Sequence, residues 1–354
     1  MRRLIGIAAL AALAVALGCA DLKDVASDPF LVSETIVQSD PGIWIYVRNK
    51  RVAWNKTFTA EKTVLFVHGA TYPSESAFDL RLDGVSWMDD LAWAGYDVWL
   101  VDVRGYGRST RPPAMDQPPQ ANPPFATTEE AVRDVGAAVD YILQARGIPR
   151  LNLIGWSWGT VTMAWYTAQN NAKVEKLVLY APVWLRQTPS LVQAGPGPLA
   201  AYRTVQMSAA RARWLTGVAP EKQQDLIPPG WFEAWAAATL ESDPDGRARN
   251  PSVVRAPNGV VLDGQRYWGA PGGEAKMPYS AADIRVPTLL IKAEWDADAP
   301  AYMAQALYPL LTNSPSKRYV ELGEGTHTVM MEKNRMSLFR EVQSFLDAGR
   351  GARN

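Results

Sequence analysis

Cysteine occurs once in this chain, at position 19, so no disulfide can form within it. Histidine occurs only twice, as His68 and His327, and no cluster with metal-ligand spacing appears. Neither a metal nor an organic cofactor is therefore expected. An excess of one charge is also missing, since 36 Lys plus Arg balance 36 Asp plus Glu. Nucleic-acid binding would normally show a basic excess or stripe, and none is visible. Internal repeats and blocks of like charge are absent. Tryptophan, by contrast, is abundant at 14 residues, which suits an aromatic-lined pocket as well as ordinary core packing.

The apolar run Leu4–Leu17 is too short to span a bilayer comfortably. It follows Met1-Arg2-Arg3 and precedes Gly18-Cys19-Ala20, after which the chain turns polar at Asp21. Residues 1–20 read as a secretory signal peptide. Two outcomes fit. Lipidation of Cys19 would attach a bacterial lipoprotein to a membrane, whereas cleavage after Ala20 would release a soluble exported protein. Lipoprotein signals usually carry Leu three residues before the cysteine, but here Ala16 stands there and Leu17 follows. The protein is expected to be exported, as a periplasmic or outer-membrane-anchored lipoprotein or in secreted form.

Past the leader, apolar runs at 43–47, 63–67, 96–101, 151–154, 174–179, 288–291 and 318–322 predict strands. Helical spacing at 84–94, 127–146, 301–311 and 334–346 alternates with them. Such alternation implies an α/β fold with a mostly parallel sheet covered by helices on both faces. The proline-rich stretch 111–124 can be neither helix nor central strand. Residues 183–285 break the rhythm and read as an inserted cap or lid between core segments 21–182 and 286–354. Within it, 200–215 and 231–240 look helical, and Pro257-Asn258-Gly259 looks like a hairpin turn.

The apolar run 151–154 ends in Gly155-Trp156-Ser157-Trp158-Gly159, and a helix-compatible stretch follows. A sharp strand-to-helix turn forces its central residue into a strained conformation and projects its side chain outward. Ser157 is the candidate nucleophile. A serine hydroxyl is weak at neutral pH and needs a base in reach. His327, in a loop after the last strand, is placed where open α/β sheets build ligand sites. His68 follows the strand 63–67 and is expected to hold its loop rather than react. The N–H groups of Ala70 and Trp158 are expected to form an oxyanion hole. The base needs a carboxylate partner, and Glu294, Asp296 and Asp298 all follow a strand. Local spacing does not separate the two aspartates.

Taken together, Phe66-Val67-His68-Gly69, Asp102-Val103-Arg104-Gly105-Tyr106-Gly107-Arg108-Ser109, the Ser157 motif, Glu294-Trp295-Asp296 and Gly325-Thr326-His327 resemble the α/β-hydrolase superfamily. The resemblance runs from about residue 43 to the C-terminus and follows the Ser, Asp, His order of that family. It implies a hydrolase fold with a cap and a catalytic triad of Ser157, Asp296 and His327, the Glu-x-Asp form favouring Asp296. The serine departs from related dehalogenases and epoxide hydrolases, which carry aspartate there. Trp158 after the serine resembles the esterase and proline iminopeptidase-like branch. An aminopeptidase of that type would need cap acids for the substrate amine, and Glu233, Glu241 and Asp243 are available. They read equally as surface charges.

The expected activity is cleavage of a small carboxylic ester through an acyl-enzyme. Rival readings are an amidase or aminopeptidase, a cofactor-free carbon–carbon hydrolase or perhydrolase, and a silent binding protein on the same fold. Trp156 and Trp158 could line the substrate pocket or pack the turn. Arg104 and Arg108 are expected to tie down loops, and Met330 and Met331 to lie in the core.

Overall fold

The computed structural model describes residues 28–194, 197–269 and 275–349, so the expected signal peptide over residues 1–20, with Cys19, lies outside them. Among the described residues, the main sheet begins with β1 (Phe30–Asp40), β2 (Ile43–Val52), β3 (Thr63–Val67), β4 (Asp97–Asp102), β5 (Leu151–Trp156) and β6 (Val174–Tyr180). A separate ribbon pairs β7 (Tyr202–Val205) with β8 (Val254–Pro257), and β9 (Thr288–Ala293) and β10 (Lys317–Leu322) complete the main sheet. Its strand order is β1-β2-β4-β3-β5-β6-β9-β10. The β1–β2 and β2–β4 pairs are antiparallel and the rest are parallel.

Every residue of β3, β4, β5 and β9 is buried. Strand side chains alternate between faces, so burial of all of them means that both faces are covered. Helix Trp158–Gln169 packs on β5 and β6 and against helix Thr128–Arg146. Helix Trp87–Trp93 packs on β2 and β4 and against helix Arg335–Asp347. Of the apolar stripe expected on helix Thr128–Arg146, Ala131, Val132, Val135, Ala138, Val139 and Ile142 are buried and Leu143 is half-buried. A reciprocal Thr127–Glu130 cap starts that helix, satisfying N–H groups that the first turn leaves unpaired.

Three local expectations are corrected. The strand β1 was not anticipated, because its apolar Leu31, Val32 and Ile36 are exposed at the sheet edge and only pairing with β2 defines it. The stretch 200–215 is not one helix: Tyr202–Val205 is strand β7, and the helix starts at Met207. Its aromatic and β-branched residues pair with β8 before the helical part begins. Pro257-Asn258-Gly259 is not a hairpin turn but the passage from β8 into helix Gly259–Asp263. The glycine is required by close approach, since a Cβ there would lie 2.3 Å from the backbone of Phe125 and Ala126.

Candidate active site

The chain steps from β3 outward to β4, then returns across β3 to β5. This reversal opens a crevice at the carboxyl ends of β3 and β5, where open α/β sheets bind ligands. His68-Gly69-Ala70 leaves β3 at that point and Ser157 leaves β5. A Cβ on Gly69 would sit 3.0 Å from that of Ser157, so the two loops touch.

Ser157 occupies φ +58°, ψ −122°, a strained conformation for a residue with a side chain. Helix Trp158–Gln169 starts directly after it. A Cβ on Gly155 would lie 2.3 Å from the Gly159 carbonyl oxygen, and one on Gly159 would lie 2.6 Å from that of His68. No other residue type fits the turn at either position.

The Trp158 and Ala70 N–H groups have no acceptor among the described residues, and both residues line the cavity that contains Ser157. Their surroundings are fixed. His68 Nε2 accepts the Val103 N–H at 3.2 Å, so the ring proton sits on Nδ1 and donates to the Gly69 carbonyl at 2.7 Å. That carbonyl shares its peptide plane with the Ala70 N–H, so His68 orients the donor. The Ala70 carbonyl accepts from Tyr106 Oη at 2.8 Å and from Arg203 Nη2 at 2.6 Å. Arg203 comes from β7, within the insertion between β6 and β9.

His327 Nδ1 lies 3.0 Å from each carboxylate oxygen of Asp296. A proton on Nδ1 leaves Nε2 free as the base. Both side chains are buried. The His327 carbonyl accepts from Trp156 Nε1 at 2.9 Å and Tyr180 Oη at 2.8 Å, which pins the loop. Buried Glu332 was not anticipated. It accepts the Thr326 N–H at 3.0 Å, both the Thr326 and Thr328 hydroxyls, and Trp214 Nε1 at 2.7 Å. Only its place ten residues after β10 hinted at proximity. Asp298, the second aspartate, lines the same small cavity as His327 but is held by Arg213, with Nη2 to Oδ1 at 2.7 Å.

The other expectations fall as follows. Trp158 donates to Thr128 Oγ1 at 2.8 Å and lines the larger cavity, while Trp156 lines a smaller one with Ser157 and His327. Arg104 binds Asp134, Asp40 and Glu130, and Arg108 binds Glu34 and Glu75. Met330 and Met331 are buried. Asp243 is not a surface charge: it is buried against Arg255 and lies 3.5 Å from Arg111. Glu233 and Glu241 are exposed.

Two buried groups at this crevice titrate in opposite senses. Burial pulls the His68 imidazole from about 6.5 down to about 4. The unfolded chain then takes up a proton below 6.5 that the folded chain refuses, so this contribution is present above pH 6.5 and lost toward pH 4. Burial pushes the Asp102 carboxyl from 3.8 up to about 6, against the Ser74 and Arg108 N–H bonds it accepts. That contribution is full below pH 3.8 and lost as pH rises through 6. Linkage makes each worth about 2–3 kcal/mol, and the two slopes offset one another. Relative to wild type, His68→Gln should gain about 3 kcal/mol of unfolding free energy between pH 7 and 4, and Asp102→Asn should lose about 2. Urea unfolding at several pH values checks this. Parallel curves for all three proteins would refute it.

Comparison with known proteins gives the family. A family model for the alpha/beta hydrolase fold matches residues 62–334. Over 120 residues the chain is 29% identical to human lipase member K, covering 34% of this chain and 30% of that protein. It therefore spans under a third of that lipase. Among solved structures, a serine hydrolase from the polyaromatic hydrocarbon-degrading bacterium Cycloclasticus zankles aligns with a TM-score of 0.59 at 18% identity, over 89% of this chain and 98% of its own. The 2-hydroxy-6-oxo-6-phenylhexa-2,4-dienoate hydrolase of Rhodococcus sp. strain RHA1 gives 0.57 at 16%, over 90% and 100%. An esterase from Rhodococcus sp. ECU1013 gives 0.54 at 17%, over 89% and 99%. With the family match spanning most of its length, the chain belongs to the alpha/beta hydrolase fold family.

Proposed function

We propose that the protein is a serine hydrolase that cleaves carboxylic esters through an acyl-enzyme on Ser157. The observation that carries this reading is the meeting, at one crevice, of a strained serine, two unengaged N–H groups and a histidine held by a carboxylate. His327 Nε2 takes the hydroxyl proton as Ser157 Oγ attacks the ester carbonyl carbon. The Ala70 and Trp158 N–H groups stabilise the resulting oxyanion. The bond to the alcohol oxygen then breaks, and His327 returns the proton to the departing alcohol. Water, deprotonated by the same nitrogen, attacks the acyl-serine and releases the acid.

An aminopeptidase is disfavoured. Of the three acids considered for binding an amine, Asp243 is consumed by arginines and Glu233 and Glu241 face solvent. A fluorophosphonate probe tests the proposal, because it needs an activated serine beside oxyanion donors. Peptide mapping should find the adduct on Ser157. A folded protein in which Ser157 stays unmodified would overturn the reading.

A further inference from the structure

Two cavities meet at Ser157, and they differ in size and charge. The smaller, of about 30 Å³, is lined by His327, Trp156 and Gly69. His327 protonates the departing alcohol in the proposed mechanism, so this is the leaving-group side. It has room for an alcohol no larger than about two waters. Ala70 borders both cavities, but the larger, of about 380 Å³, includes Trp158 and not His327, which makes it the acyl side. Its walls are largely apolar, with Val183, Val260, Val261 and Trp268.

Charge enters that wall through Arg186, Arg213 and Asp298. Arg213 and Asp298 neutralise each other through a fork of hydrogen bonds at 2.7–3.1 Å. Arg186 is left over. Its Nη2 donates to the Asp298 backbone oxygen at 3.0 Å, but Nε and Nη1 are shielded from solvent and have no partner. Among the described residues no carboxylate forms an ion pair with it. Buried donors left unpaired are costly, and buried cations without a counter-ion more so. Arg203, behind Ala70, is more deeply buried than the half-buried Arg186 and donates only to neutral oxygens. Arg203 lines no part of this cavity, so among the described residues Arg186 is the guanidinium in its wall without a carboxylate ion pair.

We propose that this cavity takes an acyl group whose far end is a second, ionised carboxylate bound by Arg186, so that the substrate is a monoester of a dicarboxylic acid with a small alcohol. This rests on the ester-hydrolase reading above and specifies its substrate class. A carboxylate in the cavity would supply the counter-charge that Arg186 lacks, while the methylene chain lies along the apolar wall. The roomier acyl cavity and the small alcohol pocket suit such a molecule.

The test uses methyl esters followed by pH-stat. Monomethyl succinate, glutarate and adipate are compared with methyl butyrate, valerate and hexanoate, which match them in chain length. The best monoester should exceed its neutral partner by at least about tenfold in kcat/KM. Arg186→Gln should lower that ratio by about tenfold or more, chiefly through KM, and Arg186→Lys should restore part of it. Neutral esters preferred at every length, or a ratio unchanged in Arg186→Gln, would overturn the proposal. Should the variant not fold, calorimetry on the unaltered protein decides. The diacid should bind at least about tenfold tighter than the matched monoacid, and equal binding overturns the anion site. The two readings fail separately: an unlabelled Ser157 with no ester cleaved sinks the hydrolase, whereas diacid binding still reports on Arg186.

Discussion

Ser157→Ala should lower kcat for the preferred ester by about 10⁶-fold. The expectation is large because, in the proposed mechanism, His327 and Asp296 act only through the serine hydroxyl, and without it their proton transfer has no object. What survives is binding and the oxyanion donors, which together can retain about 10³–10⁴ over water. The variant should fold normally, since the strain at φ +58° belongs to the backbone and alanine fills the same space. Stopped-flow or endpoint hydrolysis measures the loss, with unfolding midpoints as a control. Turnover equal to wild type would sink the mechanism.

Asp296→Asn should cost about 10⁴-fold in kcat. The carboxylate accepts the Nδ1 proton of His327, with both oxygens at 3.0 Å. An asparagine amide offers a donor there instead and favours the tautomer with its proton on Nε2, where the serine proton must arrive. Asp298→Asn should behave differently, because its carboxylate serves Arg213 rather than the imidazole. Its main effect should be on stability, about 2 kcal/mol, from leaving Arg213 without its counter-charge. Steady-state kinetics and denaturant midpoints on both variants separate the two roles. A larger kcat loss in Asp298→Asn than in Asp296→Asn would reverse the assignment.

The parts of the site legible in the sequence are those with local signatures. Ser157 sits in a turn whose glycines, strand and helix are contiguous, and with only two histidines the base had few candidates. The pair Asp296 and Asp298 could not be resolved on spacing, since both follow β9 and the choice depends on which carboxylate meets the ring of His327. Arg203 was invisible for a related reason: its partner Ala70 is 133 residues away, and nothing in a run of β7 residues announces that contact. Glu332 and Arg186 are further cases, because their roles come from tertiary neighbours rather than from periodicity. The alternating core of the sheet was readable from buried apolar runs. Strand β1 was not, because an edge strand with exposed Leu31, Val32 and Ile36 lacks the inside–outside contrast that marks a half-buried strand.

The Arg203–Ala70 bond has a consequence for how this fold can vary. Insertions between β6 and β9 are natural places to exchange whole segments in order to change what an enzyme accepts. Here the insertion also supplies a donor that clamps the loop bearing the proposed oxyanion donor Ala70, and its Trp214 braces Glu332 under the histidine loop. Under the proposed mechanism, substrate range and transition-state geometry are therefore not separable modules in this chain. A graft that changes the first must carry over an arginine and an indole at these places, or it discards part of the second.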